Sequence, residues 1–193
     1  MSIVVAYKDK DRVLVGCDTR MSKGDDYSDG YEERPKAVLL KKNIIVGFVG
    51  NGTLLDRVVY RLSDYITEKT TRAEIITNLI PNLLKDLDDG TTAFTDGLMD
   101  GDLLIAIDDR AYIISNNFDV REIITYDAIG SAEIPAKSCL YSIKDYDLTP
   151  EERVAKAILC ASKFNRSISS EIYIGDTKGN SFKKYDICSF NIG

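Results

Sequence analysis

The chain has 193 residues, 44% of them hydrophobic and 29% charged, with a formal net charge of −6 at pH 7. That length suits one domain able to bury about 70% of its unfolded surface, and a diffuse negative charge argues against nucleic acid or an anionic membrane surface as partner. Histidine is absent, which excludes Ser-His-Asp triads, Cys-His pairs, imidazole zinc sites and histidine proton shuttles within the chain.

In chain order, residues 3–7 and 12–17 are β-rich runs separated by the polar stretch KDKD, the pattern of a hairpin. The polar segment MSKGDDYSDGYEERP follows as a loop, and KAVLLKKNIIVGFVGNG predicts a second hairpin turning near Lys42 and Asn43. The period then changes. Leu54, Leu55, Val58, Val59, Leu62, Tyr65 and Ile66 recur at helical spacing, as do Ile75, Ile76, Leu79, Ile80, Leu83, Leu84 and Leu87. An acidic, glycine-rich stretch from Asp86 to Asp102 reads as a solvated loop, because its spacing does not fit a calcium-binding loop.

LLIAIDD, RAYIISNN and REIITYDAIG return to strand. A helix is expected from about Ser131 to Ile143, with Pro135 in its first turn. Another starts at TPEE, where Thr149, Pro150 and Glu152 form a capping box with proline at the first helical position. SSEIYIGD and KKYDICSF close the series as strands. Two sheets, each with a helix layer outside it, would bury every apolar face in this series. The expected class is therefore α+β, one domain over residues 1–193, without repeats or linkers.

Cys17, Cys139, Cys160 and Cys188 lie far apart in or beside apolar runs, the usage of reduced, buried thiols, and point to the cytosol. The N-terminal residues lack the pattern of an export signal, and no run approaches the roughly 18 apolar residues of a membrane span.

A β-strand led by Met1 and then a hydroxyl residue is the arrangement an N-terminal nucleophile requires. Ser2 has a small side chain, which permits removal of Met1, and would then carry a hydroxyl and a free α-amine on one residue. That amine, with a reference pKa near about 7.7–8.0, can serve as general base without histidine. If Met1 is retained, its nitrogen is an amide and the base is missing.

With Ser2 in the nucleophile's place, SIVVAYKDKDRVLVGCDTR resembles the start of the proteasome β-subunit and HslV-type peptidase family, whose nucleophile is usually threonine. The resemblance extends over nearly the whole chain and implies a four-layer αββα sandwich. It puts Asp18 on the aspartate ending the second strand and Lys36, in KAVLL, on the catalytic lysine. Gly50, in VGFVGNG, takes the place of the glycine whose N–H forms the oxyanion hole. Ser131, in AIGSA, matches the serine of a GSG turn that bonds near the α-amine. Met21, Ser22 and Phe48 fall where the family lines its specificity pocket, which implies an apolar preference. The implied activity is peptide bond hydrolysis on peptides or unfolded proteins, without cofactor or metal. A homo-oligomeric ring and a partner ATPase of the AAA type are implied with it.

Three departures stand out: serine for threonine, GSA for GSG, and the lack of a clean counterpart to a later Asp-x-x-Ser-Gly turn. In KFNRSISSE, Asn165, Ser167 and Ser169 are all candidates for that support. These departures give weight to an alternative, a catalytically inactive structural subunit of the same fold, with a non-proteolytic amidase as a further possibility. Each position also has an ordinary reading: Asp18 as a turn residue, Lys36 as a strand-edge lysine, Gly50 as part of a tight turn and Ser131 as a helix cap.

Overall fold

The strands of this chain carry apolar residues on both faces, and the fold buries both. In the computed structural model, residues 2–20, 22–23, 26–27, 35–87, 94–95, 98–169 and 171–186 are described. Val4–Asp9 (β1) and Arg12–Asp18 (β2) form the first hairpin, with Lys10 at φ 49° in its tight turn. Ser22–Lys23 (β3) and Asp26–Tyr27 (β4) pair as a short ladder inside the expected loop. Ala37–Lys41 (β5) and Ile44–Gly50 (β6) make the second hairpin, turning through Asn43 at φ 63°. Asparagine tolerates that left-handed region better than most residues.

Gly52–Tyr65 is α1. The second helical stretch is segmented into Arg72–Glu74 (α2), a π-helical turn over Ile75–Leu79, and Ile80–Leu87 (α3). Pro81 accounts for the wide turn, since it has no N–H and its ring would collide with the carbonyl four residues earlier. The Ile80 N–H instead reaches back to the Ile75 carbonyl. Thr71 and Glu74 begin the stretch with a capping box that the hydrophobic periodicity did not reveal.

Phe94–Thr95 (β7) and Leu98–Met99 (β8) form a second short ladder. The acidic stretch is thus not solvated throughout: Met99 is buried, and Asp102 lies in a strand, accepting a hydrogen bond from the Asn116 N–H. Gly101–Ile107 (β9), Arg110–Ile114 (β10), Val120–Ile123 (β11) and Tyr126–Ile129 (β12) follow. The single strand expected over REIITYDAIG is two strands in different sheets, and Ile124, at the passage between them, is 74% exposed.

Glu133–Ser142 (α4) and Pro150–Phe164 (α5) come next, the latter with the expected Thr149–Glu152 box and Pro150 at its start. Glu171–Asp176 (β13) and Lys183–Asp186 (β14) complete the described chain.

Two five-stranded antiparallel sheets result, one ordered β12-β1-β2-β13-β14 and the other β11-β10-β9-β6-β5. The two-residue period of the strands sorts their side chains between clusters. In β6 and β9, Ile44, Val46, Phe48, Leu103, Ile105 and Ile107 pack with Val58, Leu62, Ile75, Leu79 and Leu83 of the α1–α3 region. Ile3, Val5 and Leu14 pack with α4 and α5 residues such as Leu140, Val154 and Ile158. The alternate positions, Val4, Ala6, Val15 and Cys17 from one sheet and Ile45, Leu104, Ala106 and Ile113 from the other, form a cluster drawn from both sheets. Among the described residues no helix is long and apolar enough to cross a membrane.

Candidate active site

Ser2 leads into β1, a strand held on both sides by β2 and β12. This places the start of the described chain inside a sheet rather than at its margin. Ile3 exchanges hydrogen bonds with Asp18: its N–H donates to Asp18 Oδ1 at 3.0 Å, and its carbonyl accepts from the Asp18 N–H at 3.3 Å. The carboxylate at the end of β2 is therefore anchored to the residue after Ser2. Ser2 is 7% exposed, Asp18 0% and Lys36 7%.

Lys36 Nζ donates to both carboxylate oxygens of Asp18, at 3.2 and 3.1 Å, and to the Arg20 carbonyl at 2.5 Å. The Arg20 N–H donates in turn to Asp18 Oδ2 at 3.2 Å. Burial pushes the Asp18 carboxyl above its ordinary value, while the Lys36 ammonium and the Ile3 and Arg20 amides pull against that shift. An ammonium has no lone pair, so an ionised Lys36 supplies charge and orientation here and cannot accept a proton. Beside it, burial and the Asp18 charge push the Cys17 thiol up to about 12, which leaves it protonated.

Gly130, after β12, closes the other flank. Its φ of 110° lies in the region that favours glycine, and a Cβ there would come within 2.1 Å of the Ser2 carbonyl oxygen and 3.3 Å of Val49 Cγ1. Gly130 thus sits between Ser2 and the end of β6, where Gly50 follows Val49. Gly50 is also special, with φ 138° and no room for a side chain, since a Cβ would lie 2.2 Å from the Asp100 carbonyl oxygen. Ser131 follows Gly130, and Ala132 takes the N-cap of α4 at φ −116°. Alanine adopts that backbone without strain, although as N-cap it offers no side-chain acceptor to the first turn of α4.

The structure separates the three support candidates. Asn165 Nδ2 donates to Ser131 Oγ at 2.9 Å, and its Oδ1 accepts from the Ser167 N–H at 3.0 Å. Ser169 turns elsewhere: its Oγ accepts from the Thr19 N–H at 3.2 Å and donates to the Glu171 carbonyl at 2.6 Å, bracing the segment after Asp18. Ser167 is fully buried. Phe48 is 2% exposed and belongs to the cluster beneath α1–α3. Met21 lies outside the described residues, and of Ser22 only the backbone in β3 is described. Gly130 and Thr19 were not singled out by the sequence, although a glycine just after a strand was a signal for the former. Among the described residues no group of three or more His, Cys, Asp or Glu is placed to hold a metal ion.

No protein-family model matches the chain, and no curated protein matches it in sequence. Solved structures do. BPH of Thiobacillus denitrificans superposes with a TM-score of 0.75 at 19% identity, covering 90% of this chain and 96% of that one. The same protein in complex with epoxomicin gives 0.73 at 18% identity, over 90% and 97%. Eukaryotic HslV from Trypanosoma brucei gives 0.70 at 15% identity, over 90% and 98%. The chain has the proteasome β-subunit and HslV fold. Within that fold, Asp18 at the end of β2 joins Lys36 to Ile3, Gly130 after β12 abuts the Ser2 carbonyl, and Asn165 bonds Ser131, the residue after Gly130.

Proposed function

We propose that this chain is an N-terminal nucleophile peptidase of the proteasome type, a single domain with its layers in the order αββα. The observation that carries the reading is the buried Lys36–Asp18 pair, tied through the Ile3 amide to the residue next to Ser2. A buried ion pair is weak evidence for stability and costs desolvation. A buried carboxyl held above its ordinary value, in the strand next to a hydroxyl residue at a strand's start, is the kind of perturbed group a nucleophilic site uses. The likeness to HslV and to an epoxomicin-bound BPH supports the same reading.

Removal of Met1 frees the Ser2 α-amine. The Ser2 hydroxyl attacks the scissile carbonyl, and its proton passes to the amine. The oxyanion that forms is stabilised by the Gly50 N–H, a donor type worth about 2.7–4 kcal/mol. Collapse releases the leaving amine, which takes the proton, and leaves an ester on Ser2. Water activated by the same α-amine then hydrolyses the ester and restores the hydroxyl. Lys36 lowers the cost of the Ser2 alkoxide through its charge, Asp18 orients Lys36, and Ser131 bonds near the amine. The resemblance assigns the substrate pocket to Met21, Ser22 and Phe48 and implies an apolar preference there, while Phe48 itself packs beneath α1–α3. The substrate is a peptide or unfolded protein, the assembly a homo-oligomeric ring in the cytosol, and an AAA-type ATPase its feeder.

The departures at GSA and KFNRSISSE favour a second reading, an inactive subunit that keeps the fold, because the segment holding Asn165, Ser167 and Ser169 lacks the family's acidic support for the amine. Intact mass before and after a covalent probe directed at N-terminal hydroxyls separates the two. Loss of one methionine with an adduct that disappears in Ser2→Ala supports the peptidase. Retained Met1 without an adduct supports the inactive subunit.

A further inference from the structure

Helices α4 and α5 pack directly on each other, with the buried alanines Ala136, Ala157 and Ala161 in one shared cluster. Each helix also carries one cysteine, Cys139 and Cys160, both free thiols and both half-buried. The Cys139 Sγ donates to the Lys156 carbonyl at 3.5 Å. Within α5 that carbonyl points along the axis toward the Cys160 amide, four residues on. A helical side chain leans back over the turn before its own Cα. The Cys160 side chain is thus carried to the spot that Cys139 occupies, and the two thiols are hydrogen-bonding neighbours.

The helix pair is tied on both sides of this contact. Arg153 donates to the carbonyls of Ile143, Lys144 and Tyr146, bracing the connection between the helices. At the other end Asn165, after α5, donates to Ser131, before α4. A disulfide needs Cα atoms no more than about 7 Å apart, a spacing that a seam of small side chains brings within reach of two helices.

We propose that Cys139 and Cys160 form a redox-active dithiol site that reacts with hydroperoxides and closes to a disulfide joining α4 to α5. The inference does not depend on the peptidase reading. Cys139 is committed as a donor, and burial first, then Cys160, push its thiol from 9.0 up to about 11, so it holds its proton at neutral pH. Cys160 therefore meets the oxidant. Its thiolate attacks one oxygen of the hydroperoxide, the O–O bond breaks, an alcohol or water leaves, and the sulfur is oxidised to a sulfenic acid. The Cys139 sulfur then attacks the Cys160 sulfur. The S–O bond breaks as the S–S bond forms, and hydroxide leaves with the Cys139 proton as water. Partial exposure leaves the bond open to reduction by a dithiol.

The test treats the folded full chain with hydrogen peroxide, alkylates the remaining thiols, and maps tryptic peptides by mass spectrometry. The expected product links the peptides Ser138–Lys144 and Ala157–Lys163, disappears on reduction with dithiothreitol, and is absent in Cys139→Ser and Cys160→Ser. In Cys139→Ser a cyclic 1,3-diketone should trap a sulfenic acid on Cys160. The thiol left in Cys160→Ser should react roughly tenfold more slowly than an ordinary cysteine, as a raised thiol does. Oxidation should raise the thermal midpoint of wild type by about 5–10 °C and leave both variants unmoved. Links to Cys17 or Cys188 instead, separate oxidation of the two thiols without a link, or a link that forms only after unfolding would overturn the inference. So would a bridge that lowers the midpoint, since the helices would then have to move to make it.

Discussion

Lys36→Met tests the electrostatic centre of the site directly. The Asp18 carboxylate accepts from the Ile3 and Arg20 amides at 3.0 and 3.2 Å and from Lys36 at 3.2 and 3.1 Å. Without Lys36 it keeps two amide donors but no countercharge, at 0% exposure. Removing one partner of such a buried pair costs about 3–5 kcal/mol, a large share of the roughly 5–15 kcal/mol typical of a domain. The pH dependence has a definite sign. Burial holds the folded pKa of Asp18 above its unfolded 3.8, so the folded state binds the extra proton. The group's contribution is therefore most favourable below that value and is lost as pH rises through the folded pKa. Losing Lys36 lifts the folded pKa further, so the loss of stability is larger near pH 7 than near about pH 5. Urea unfolding at both pH values measures it, and the double variant Asp18→Asn/Lys36→Met should recover most of the loss. A penalty under about 1 kcal/mol near neutrality, or one that does not change with pH, would refute the argument that Asp18 depends on this countercharge.

Further outcomes follow from neighbouring groups. Gly130→Ala places a methyl within 2.1 Å of the Ser2 carbonyl at a φ of 110°. It should lower the thermal midpoint and abolish probe labelling of Ser2, whereas an unshifted midpoint with normal labelling would contradict the close approach. Cys17, protonated with its thiol pushed up to about 12, should resist alkylation in the folded protein and react only after unfolding, as peptide mapping by mass spectrometry can show. Rapid labelling of Cys17 under native conditions would mean that the cluster between the sheets is open to solvent.

What could be read from the sequence was local. Both hairpins follow from polar tips between apolar runs, with Lys10 and Asn43 in the turns, and the α5 cap follows from four consecutive residues. Asp18, which ends β2, and Lys36, which precedes β5, were singled out through the resemblance and their positions beside apolar strands. What could not be read depended on distant partners or on a change of period. The π turn arises from a single proline inside an otherwise helical pattern. Ile124 reads as strand because β-branched residues run through it, yet the chain changes sheets there. Asn165, Ser167 and Ser169 could not be ranked because their partners are Ser131 and Thr19, 34 and 150 residues away from Asn165 and Ser169 respectively.

The position of β1 inside its sheet also orders events in time. Ser2 and Asp18 are made early, but β12, Asn165 and Ser169 emerge only after most of the chain, with 150 residues between Thr19 and its partner Ser169. At about 5–20 residues per second, that interval is roughly 8–30 s of translation. Through that interval the hydroxyl and its neighbours lack the surroundings that define them as a site. On the peptidase reading proposed above, a nascent chain is in this way kept from becoming a reactive fragment, and competence arrives together with the completed sheet.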